Sequence, residues 1–317
     1  MPDEVTPTRT LDDDIELLER AIREGRFQRW LSLVAGLSSV LSGLEVGYEH
    51  YRGSYSQRVM YTPVVLSGAL FVAGVAGFVS QRAAKTVLPT VSIITLVDAG
   101  IGFLMHVRGV QRKPGGWRLP ITNIVMGPPL FAPLLFGTAA YMGLIASKLD
   151  RSTGGSHGMI PRSAAVRHFA RGLGISHEKI SPTQDRREGQ LQSHIAVATA
   201  LAAALSGLEA WYSHYKNNFR YGVQWTPLVV AAVLTITAVF GTRSRKIAHS
   251  ALPVASLLAV ANGMIGFGYH ARGVLRRPGG TSKLLYNIMY GPPIFAPLLF
   301  SASGFLGILA SLLRSDV

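Results

Sequence analysis

The sequence predicts an all-α integral membrane protein with eight transmembrane helices, arranged as a tandem duplication of a four-helix unit. Of its 317 residues, 48% are hydrophobic and only 15% are charged. The apolar residues come in blocks of roughly 20, which is the length that spans a hydrocarbon core. The same blocks occur twice along the chain, and this repetition predicts two four-helix repeats.

The duplication is clearest in residues 101–136 and 265–300. The first stretch begins I-G-F-L-M-H-V-R-G-V and the second I-G-F-G-Y-H-A-R-G-V, and they end G-P-P-L-F-A-P-L-L-F and G-P-P-I-F-A-P-L-L-F. The two copies align without a gap from Arg23 to Leu149: each position is aligned with the position 164 residues later, as His106 is with His270 (270 − 106 = 164). Roughly two residues in five are identical between the copies, so the second copy shows which positions resisted change.

Four apolar blocks in each copy predict the membrane spans. The predicted spans are 30–51, 61–80, 87–107 and 121–147 in the first copy, and 194–215, 225–241, 251–271 and 285–312 in the second. The predicted domains are a lead-in (1–29), a first membrane repeat (30–149), a linker (150–191) and a second membrane repeat (192–317). The lead-in lacks the apolar core of a signal peptide, and its apolar residues recur at helical spacing, which predicts an amphipathic helix.

Four spans per copy is an even number, so both copies enter the bilayer from the same side as parallel repeats. Lys and Arg number 19 on the amino-terminal side and 12 on the opposite side. The positive-inside rule therefore predicts a multi-pass protein of the inner membrane with both termini and the linker in the cytoplasm. The formal charge of +14 lies at span ends and connections, so we expect the lipid bilayer, and no nucleic acid, as a partner.

Several polar residues inside the spans are identical in the two copies. An ionisable side chain inside a span costs about 2.5–3.5 kcal/mol on insertion scales, so retaining it indicates a function. No nucleotide-binding or hydrolase motif occurs, and the absence of cysteine excludes thiolate metal sites. The retained pairs are Ser42/Ser206, Glu45/Glu209, Tyr48/Tyr212, His50/His214, His106/His270, Arg108/Arg272 and Asn123/Asn287.

The histidines predict a haem site in each repeat. A b-type haem needs one imidazole on each side of the iron, which His50 and His106 would supply in the first repeat and His214 and His270 in the second. Glycines on either side of the third-helix histidine would leave room for the macrocycle, and arginines would bind haem propionates or a quinone headgroup. These glycines are Gly102 and Gly109 with Gly266 and Gly273, and the arginines are Arg108 and Arg272.

Paired histidines in a four-helix bundle resemble the membrane cytochromes b in architecture. The first functional prediction is therefore an electron-transfer subunit with haem b, passing electrons between an extracytoplasmic or membrane partner protein and quinone. A second prediction is a histidine–carboxylate metal site that uses the same four histidines with Glu45 and Glu209. A membrane anchor or scaffold subunit is a third, and a transporter that uses fourth helices broken by proline is a fourth.

Overall fold

The computed structural model describes residues 26–149 and 190–312, and every regular element in those two ranges is a helix. The first half contains α1 (Arg26–Arg52), α2 (Thr62–Val79), α3 (Gln81–Lys85), α4 (Val87–Gln111), α5 (Pro120–Val125) and α6 (Ala132–Lys148). The second half contains α7 (Gln190–Tyr215), α8 (Thr226–Gly241), α9 (Arg245–His249), α10 (Ala251–Leu275), α11 (Leu284–Tyr290) and α12 (Ala296–Leu312). Short 3₁₀ turns precede α2, α5, α8 and α11.

Six helical segments within these ranges are long and apolar enough to cross a membrane, three in each half. They are Gln28–Arg52, Arg58–Val79, Gln81–Gln111, Gln192–Tyr215, Gly222–Gly241 and Arg245–Leu275. The protein is therefore a multi-pass helical membrane protein. Helices begin at matching places in the two halves. Helix α8 begins at Thr226, 164 residues after the start of α2 at Thr62 (226 − 62 = 164), and α12 begins at Ala296, 164 residues after the start of α6 at Ala132 (296 − 132 = 164).

The fourth predicted span of each half is broken, as its prolines predict. In the first half a six-residue helix, α5, ends at Val125, and the 17-residue α6 begins only at Ala132. Pro128 and Pro129 lie between them, and proline cannot donate the backbone hydrogen bond that a continuing helix requires. The second half breaks in the same way between α11 and α12.

Two predicted regions lie outside the described residues. They are residues 1–25 of the amphipathic lead-in predicted at 1–29 and residues 150–189 of the cytoplasmic linker predicted at 150–191; residues 313–317 also lie outside.

The helices divide into a buried pair and a lipid-facing set. The membrane-spanning windows of α1 and α7 are 44% and 50% buried, whereas that of α8 is only 17% buried. Large apolar side chains cover the outer surface, including Val72 (63% exposed) and Leu104 (65% exposed). Such a surface suits hydrocarbon, so α2, α4, α8 and α10 form the outer ring and α1 and α7 the centre.

Small residues let the helix backbones approach closely, as is common between membrane helices. A Cβ built on Gly74 of α2 would lie 2.6 Å from the Ser32 carbonyl oxygen and 2.9 Å from the Gly36 Cα of α1. Any side chain at position 74 would therefore push these two helices apart.

The two halves meet along the first and last helix of each half, which are α1 and α6 in the first half and α7 and α12 in the second. Helix α1 packs against α6 of its own half and also against α12 of the other half. Equivalently, α7 packs against α12 and α6. The interface between the halves is thus built from α1, α6, α7 and α12, and it contains the polar residues described next.

Candidate functional site

The retained glutamates reach across the interface between the halves. Glu45 on α1 accepts a hydrogen bond from the backbone N–H of Phe295, which directly precedes α12, at 3.2 Å. Glu209 on α7 accepts the equivalent bond from Phe131, which directly precedes α6, at 3.3 Å. Each glutamate therefore caps a helix of the opposite half: Glu45 caps α12, and Glu209 caps α6. We call this arrangement the crossed caps.

The helix ends explain why a carboxylate is retained inside the bundle. The first N–H groups of a helix have no intrahelical acceptor and together carry a partial positive charge. Phe131, the residue before α6, offers no side-chain oxygen of its own to cap them. Because the break in the fourth span places these ends inside the protein, an acceptor has to come from another helix. Glu45 and Glu209 supply it.

The halves support their glutamates differently. The Tyr48 hydroxyl, one turn along α1, donates to Glu45 Oε1 in a short hydrogen bond. The matching Tyr212 is 2% exposed, and its hydroxyl finds no hydrogen-bond partner among the described residues. Lys216 lies over the Tyr212 ring, 5.6 Å from its centroid, and interacts electrostatically with Glu209. The crossed cap is common to both halves, whereas its local partners are not.

A narrow, mostly apolar crevice with a few hydroxyl groups lies between the halves, next to the first turns of α6 and α12. Its volume is about 10 Å³, and it is bordered by Leu135 and Leu299, the fourth residues of α6 and α12. Ser38, Ser42 and Thr138 also line it. A volume of this size holds about one water molecule.

Two retained serines have no hydrogen-bond partner within the described ranges. Ser42 (3% exposed) lines the crevice, and Ser206 (8% exposed) is its counterpart on α7. A buried hydroxyl without a partner costs about 1–3 kcal/mol. Both serines precede a crossed-cap glutamate by three residues, so they lie on the same helix face. We refer to them as the interface serines.

Charged residues gather where α1 and α7 end, which we call the mouth of the interface. Lys216 interacts electrostatically with Glu209, Glu49, Arg52 and Lys113. Arg52 also forms a salt bridge with Glu49 at 3.1 Å. Arg52 matches Lys216, and Lys113 matches Arg277, so both copies keep a cation at both positions. Glu49 is replaced by Ser213, and the mouth is therefore positive.

The four retained histidines hold chain segments in place. His50 Nδ1 lies 2.7 Å from the Met60 carbonyl oxygen, and His106 Nδ1 lies 2.5 Å from that of Pro129, in the break of the fourth span. His214 and His270 make the same contacts with Gln224 and Pro293, at 3.0 and 2.5 Å. A carbonyl oxygen can only accept, so each Nδ1–H is the donor in these contacts.

The glycines beside His106 leave no open slot for a macrocycle. A Cβ on Gly102 would lie 3.2 Å from Pro133 Cβ, and one on Gly109 would lie 2.9 Å from Pro128 Cγ. The space is taken by the prolines of the broken fourth span.

The second half repeats this packing. Gly266 faces Pro297 at 3.1 Å and Gly273 faces Pro292 at 3.0 Å. The prolines therefore occupy the space beside the third-helix histidines that the predicted haem slot required, and haem binding stays a prediction.

The remaining predicted site residues separate into other environments. Arg108 and Arg272 are exposed in the last turns of α4 and α10. Within residues 26–149 and 190–312, no three His, Asp or Glu side chains come together in a way that could hold a metal ion. Glu45 and Glu209 bind helix ends rather than the histidines, so we do not assign them as metal ligands.

The retained asparagine stabilises a tight turn. Asn123 Nδ2 donates to the carbonyl oxygens of Pro114 and Gly116 at 3.0 and 2.7 Å. Gly115 and Gly116 have φ angles of 80° and 48°, which glycine adopts readily. Asn287 holds the matching turn of the second half. Retention of the P-G-G and N-I motifs is therefore explained by local structure.

The chain matches no protein-family model, and comparisons with curated proteins and with solved structures gave no match. Function is therefore inferred from the geometry of the site itself.

Proposed function

We propose that this protein is a proton-coupled secondary transporter whose substrate site lies at the interface between its two halves. The observation that carries this proposal is the pair of crossed caps, Glu45 with Phe295 and Glu209 with Phe131. Discontinuous helices whose positive N-terminal ends meet between two repeats are a common way of building a transporter site. Buried carboxylates in such a position are typical proton carriers.

The crossed caps give protonation a direct effect on how the halves fit together. As carboxylates, Glu45 and Glu209 are strong acceptors for the helix N–H groups of the opposite half, because charge-assisted hydrogen bonds are roughly twice as strong as neutral ones. Protonation removes the charge and weakens both links. The interface then loosens, and the two halves rock about the crevice to open it on one side or the other.

The proposed topology is the predicted one of eight spans in two parallel four-helix repeats. In it, α5 with α6 and α11 with α12 serve as the broken fourth spans. Both termini lie in the cytoplasm of a cell with an inner membrane, which places the mouth and the histidines on the extracytoplasmic side. The matching helix starts in the two halves and the 19-to-12 count of basic residues support this arrangement.

The test is solute-driven proton movement in liposomes that contain the purified full-length protein. A pH-sensitive dye inside reports the internal pH, while valinomycin with equal K⁺ on both sides clamps the membrane potential. A mixture of amino acids, sugars, polyols and carboxylates is added outside. We expect a shift in internal pH well above that of empty liposomes.

The control pair of variants separates the crossed caps from other charges in the spans. Glu45→Gln with Glu209→Gln should abolish the pH shift. Asp98→Asn also removes a carboxylate from a span, and position 262 of the second half already carries asparagine, so this variant should behave as wild type. Monodisperse wild-type protein that moves no protons with any solute would contradict the proposal.

An electron-transfer subunit with haem b remains the second candidate. One observation favours it: each Nδ1 meets a backbone carbonyl oxygen, which leaves Nε2 as the nitrogen that would bind iron, as in most histidine ligands. His50 and His106 are also close enough to interact electrostatically, as are His214 and His270. A visible spectrum of the purified protein decides, because a Soret band that changes on reduction would support this candidate, with a quinone and a redox partner as its substrates.

A further inference from the structure

The helix ends at the crossed caps each bind a carboxylate, and a substrate that bound there would need the same group. Each end binds one carboxylate through the N–H of the residue before the helix, at 3.2 Å for Glu45 and 3.3 Å for Glu209. Helix N-termini bind anions generally, because N–H groups and the helix dipole point at the ligand. A free carboxylate would therefore satisfy the same groups when a glutamate withdraws.

The interface serines supply a second and independent indication of a ligand. Ser42 is 3% exposed, lines the crevice beside the first turns of α6 and α12, and has an Oγ without a partner in the described part of the chain. Ser206, its counterpart, has the same unmet hydrogen bond. Each hydroxyl can therefore donate to an anion that enters between the halves.

The mouth favours the approach of a negative solute. Arg52, Lys113 and Lys216 interact across the end of the interface, where they outnumber the two carboxylates of the described residues that interact with Lys216, Glu49 and Glu209. Clefts lined by one sign of charge raise the local concentration of the opposite sign. The mouth therefore selects anions over cations before any contact with the crossed caps.

We propose that the transported solute is a small monocarboxylate anion, which takes the place of one crossed-cap carboxylate, either Glu45 at the end of α12 or Glu209 at the end of α6, as that glutamate accepts a proton. This inference rests on the proposed transport function. The crevice of about 10 Å³ holds about one water molecule, so a solute enters only when the halves move apart there, which favours a solute of a few heavy atoms. One proton and one anion then move together, and the transport cycle is electrically neutral.

The proton is carried by the glutamates in a defined electrostatic setting. Glu45 faces Tyr48 and Glu49 on its own helix and Glu209 across the interface. Glu209 faces Lys216 on its own helix and both Glu45 and Glu49 across the interface. Once a glutamate is neutral, the helix end it capped needs another anion, and the substrate provides it. Substrate binding and proton binding therefore favour each other.

The experiment uses pyruvate as the probe and pyruvamide, its neutral amide, as the matched control. Full-length protein in dye-loaded liposomes should acidify the interior when pyruvate is added outside, and the rate should increase as the external pH is lowered. Pyruvamide should have no effect. If the mixture of solutes drives protons but pyruvate does not, the carboxylate inference is wrong and the transport function stands. If neither does, both fall.

The glutamate variants test the replacement itself. In Glu45→Gln with Glu209→Gln, pyruvate-driven acidification should fall to the rate of empty liposomes, because glutamine cannot carry the proton. Exchange of labelled for unlabelled pyruvate should continue, because exchange requires no net proton movement. Acidification at the wild-type rate in this variant would overturn the inference, and Asp98→Asn should leave both activities unchanged.

The serine variants keep the test valid if the glutamine protein fails to fold. Ser42→Ala with Ser206→Ala removes two hydroxyls without partners in the described ranges and should not lower the melting temperature. Its KM for pyruvate should rise about tenfold, since hydrogen bonds to a charged group contribute roughly 1.5–3 kcal/mol. An unchanged KM would contradict the placement of the anion beside the interface serines.

Discussion

The two halves place a glutamate at the same position of the same helix but surround it differently. Glu45 accepts hydrogen bonds from the Tyr48 hydroxyl and from the backbone N–H that precedes α12. Glu209 accepts a hydrogen bond from the backbone N–H that precedes α6 and interacts electrostatically with Lys216. The contact they share is the one that crosses between halves. This difference indicates that the crossed cap is the feature common to both halves, whereas the local support of each glutamate differs.

A second contrast between the halves concerns packing of α10 against α12, and it carries the largest expected effect. A Cβ on Gly263 would lie 2.4 Å from the Pro297 carbonyl oxygen and 2.1 Å from Ser301 Oγ, so Gly263→Ala forces the backbone to move. We expect a loss of about 3 kcal/mol in the free energy of unfolding, the upper end for overpacking. Denaturant unfolding in detergent micelles measures it.

The first half provides the matched control for this change. There Ala99 occupies the position of Gly263, and Gly137 that of Ser301, so the larger and smaller residues have exchanged places. Adding Ser301→Gly to Gly263→Ala should recover part of the loss, because it removes the side-chain clash but not the carbonyl clash. An unchanged stability for Gly263→Ala would show that this packing is wrong.

Replacing Tyr48 or Tyr212, the tyrosines next to the two glutamates, with phenylalanine should lower the free energy of unfolding by unequal amounts. Tyr48→Phe removes the donor to Glu45 and should cost about 2 kcal/mol, as expected for a buried hydrogen bond to a charged group. Tyr212→Phe removes a hydroxyl that has no partner in residues 26–149 or 190–312, and its effect should be within about 0.5 kcal/mol of zero. Thermal unfolding of both variants, compared side by side, makes the measurement. Equal losses would mean that the halves support their glutamates alike.

The smallest expected difference in stability between the halves is that between the asparagines of the two P-G-G turns, Asn123 and Asn287. Asn123 donates at 3.0 and 2.7 Å, whereas Asn287 donates at 3.4 and 3.0 Å. We expect Asn123→Ala to cost about 1–2 kcal/mol and Asn287→Ala less, because longer hydrogen bonds are weaker. Hydrogen exchange of the turn amides would detect the difference. A larger effect at Asn287 would reverse the ranking.

The helical membrane fold, the repeat of helix starts and the break at Pro128 and Pro129 could all be predicted from the sequence. The partner of Glu45 could not, because Phe131 and Phe295 stand in identical F-A-P-L-L-F segments. Sequence alone cannot tell a cap within one half from a cap between halves. The structure pairs residues 250 positions apart.

The histidine layer is harder to interpret from sequence for a different reason. Glycine beside a histidine indicates close approach, but it does not say what approaches. A macrocycle and a proline ring leave the same sequence pattern, and in the structure Pro128 and Pro133 fill the space beside Gly109 and Gly102. The carbonyl partners of His50 and His106 are backbone groups, which carry no side-chain signature.

The most direct test of the crossed caps is a cross-link that joins the halves. The chain contains no cysteine, so Glu45→Cys with Phe295→Cys can be probed with a short thiol cross-linker in the membrane, followed by cleavage at a protease site inserted within residues 150–189. The account predicts that the two halves stay joined, as they also should for Glu209→Cys with Phe131→Cys. The lipid-facing control, Leu104→Cys with Phe295→Cys, should separate. Separation of the halves in both crossed-cap pairs, in protein that remains folded, would contradict the account.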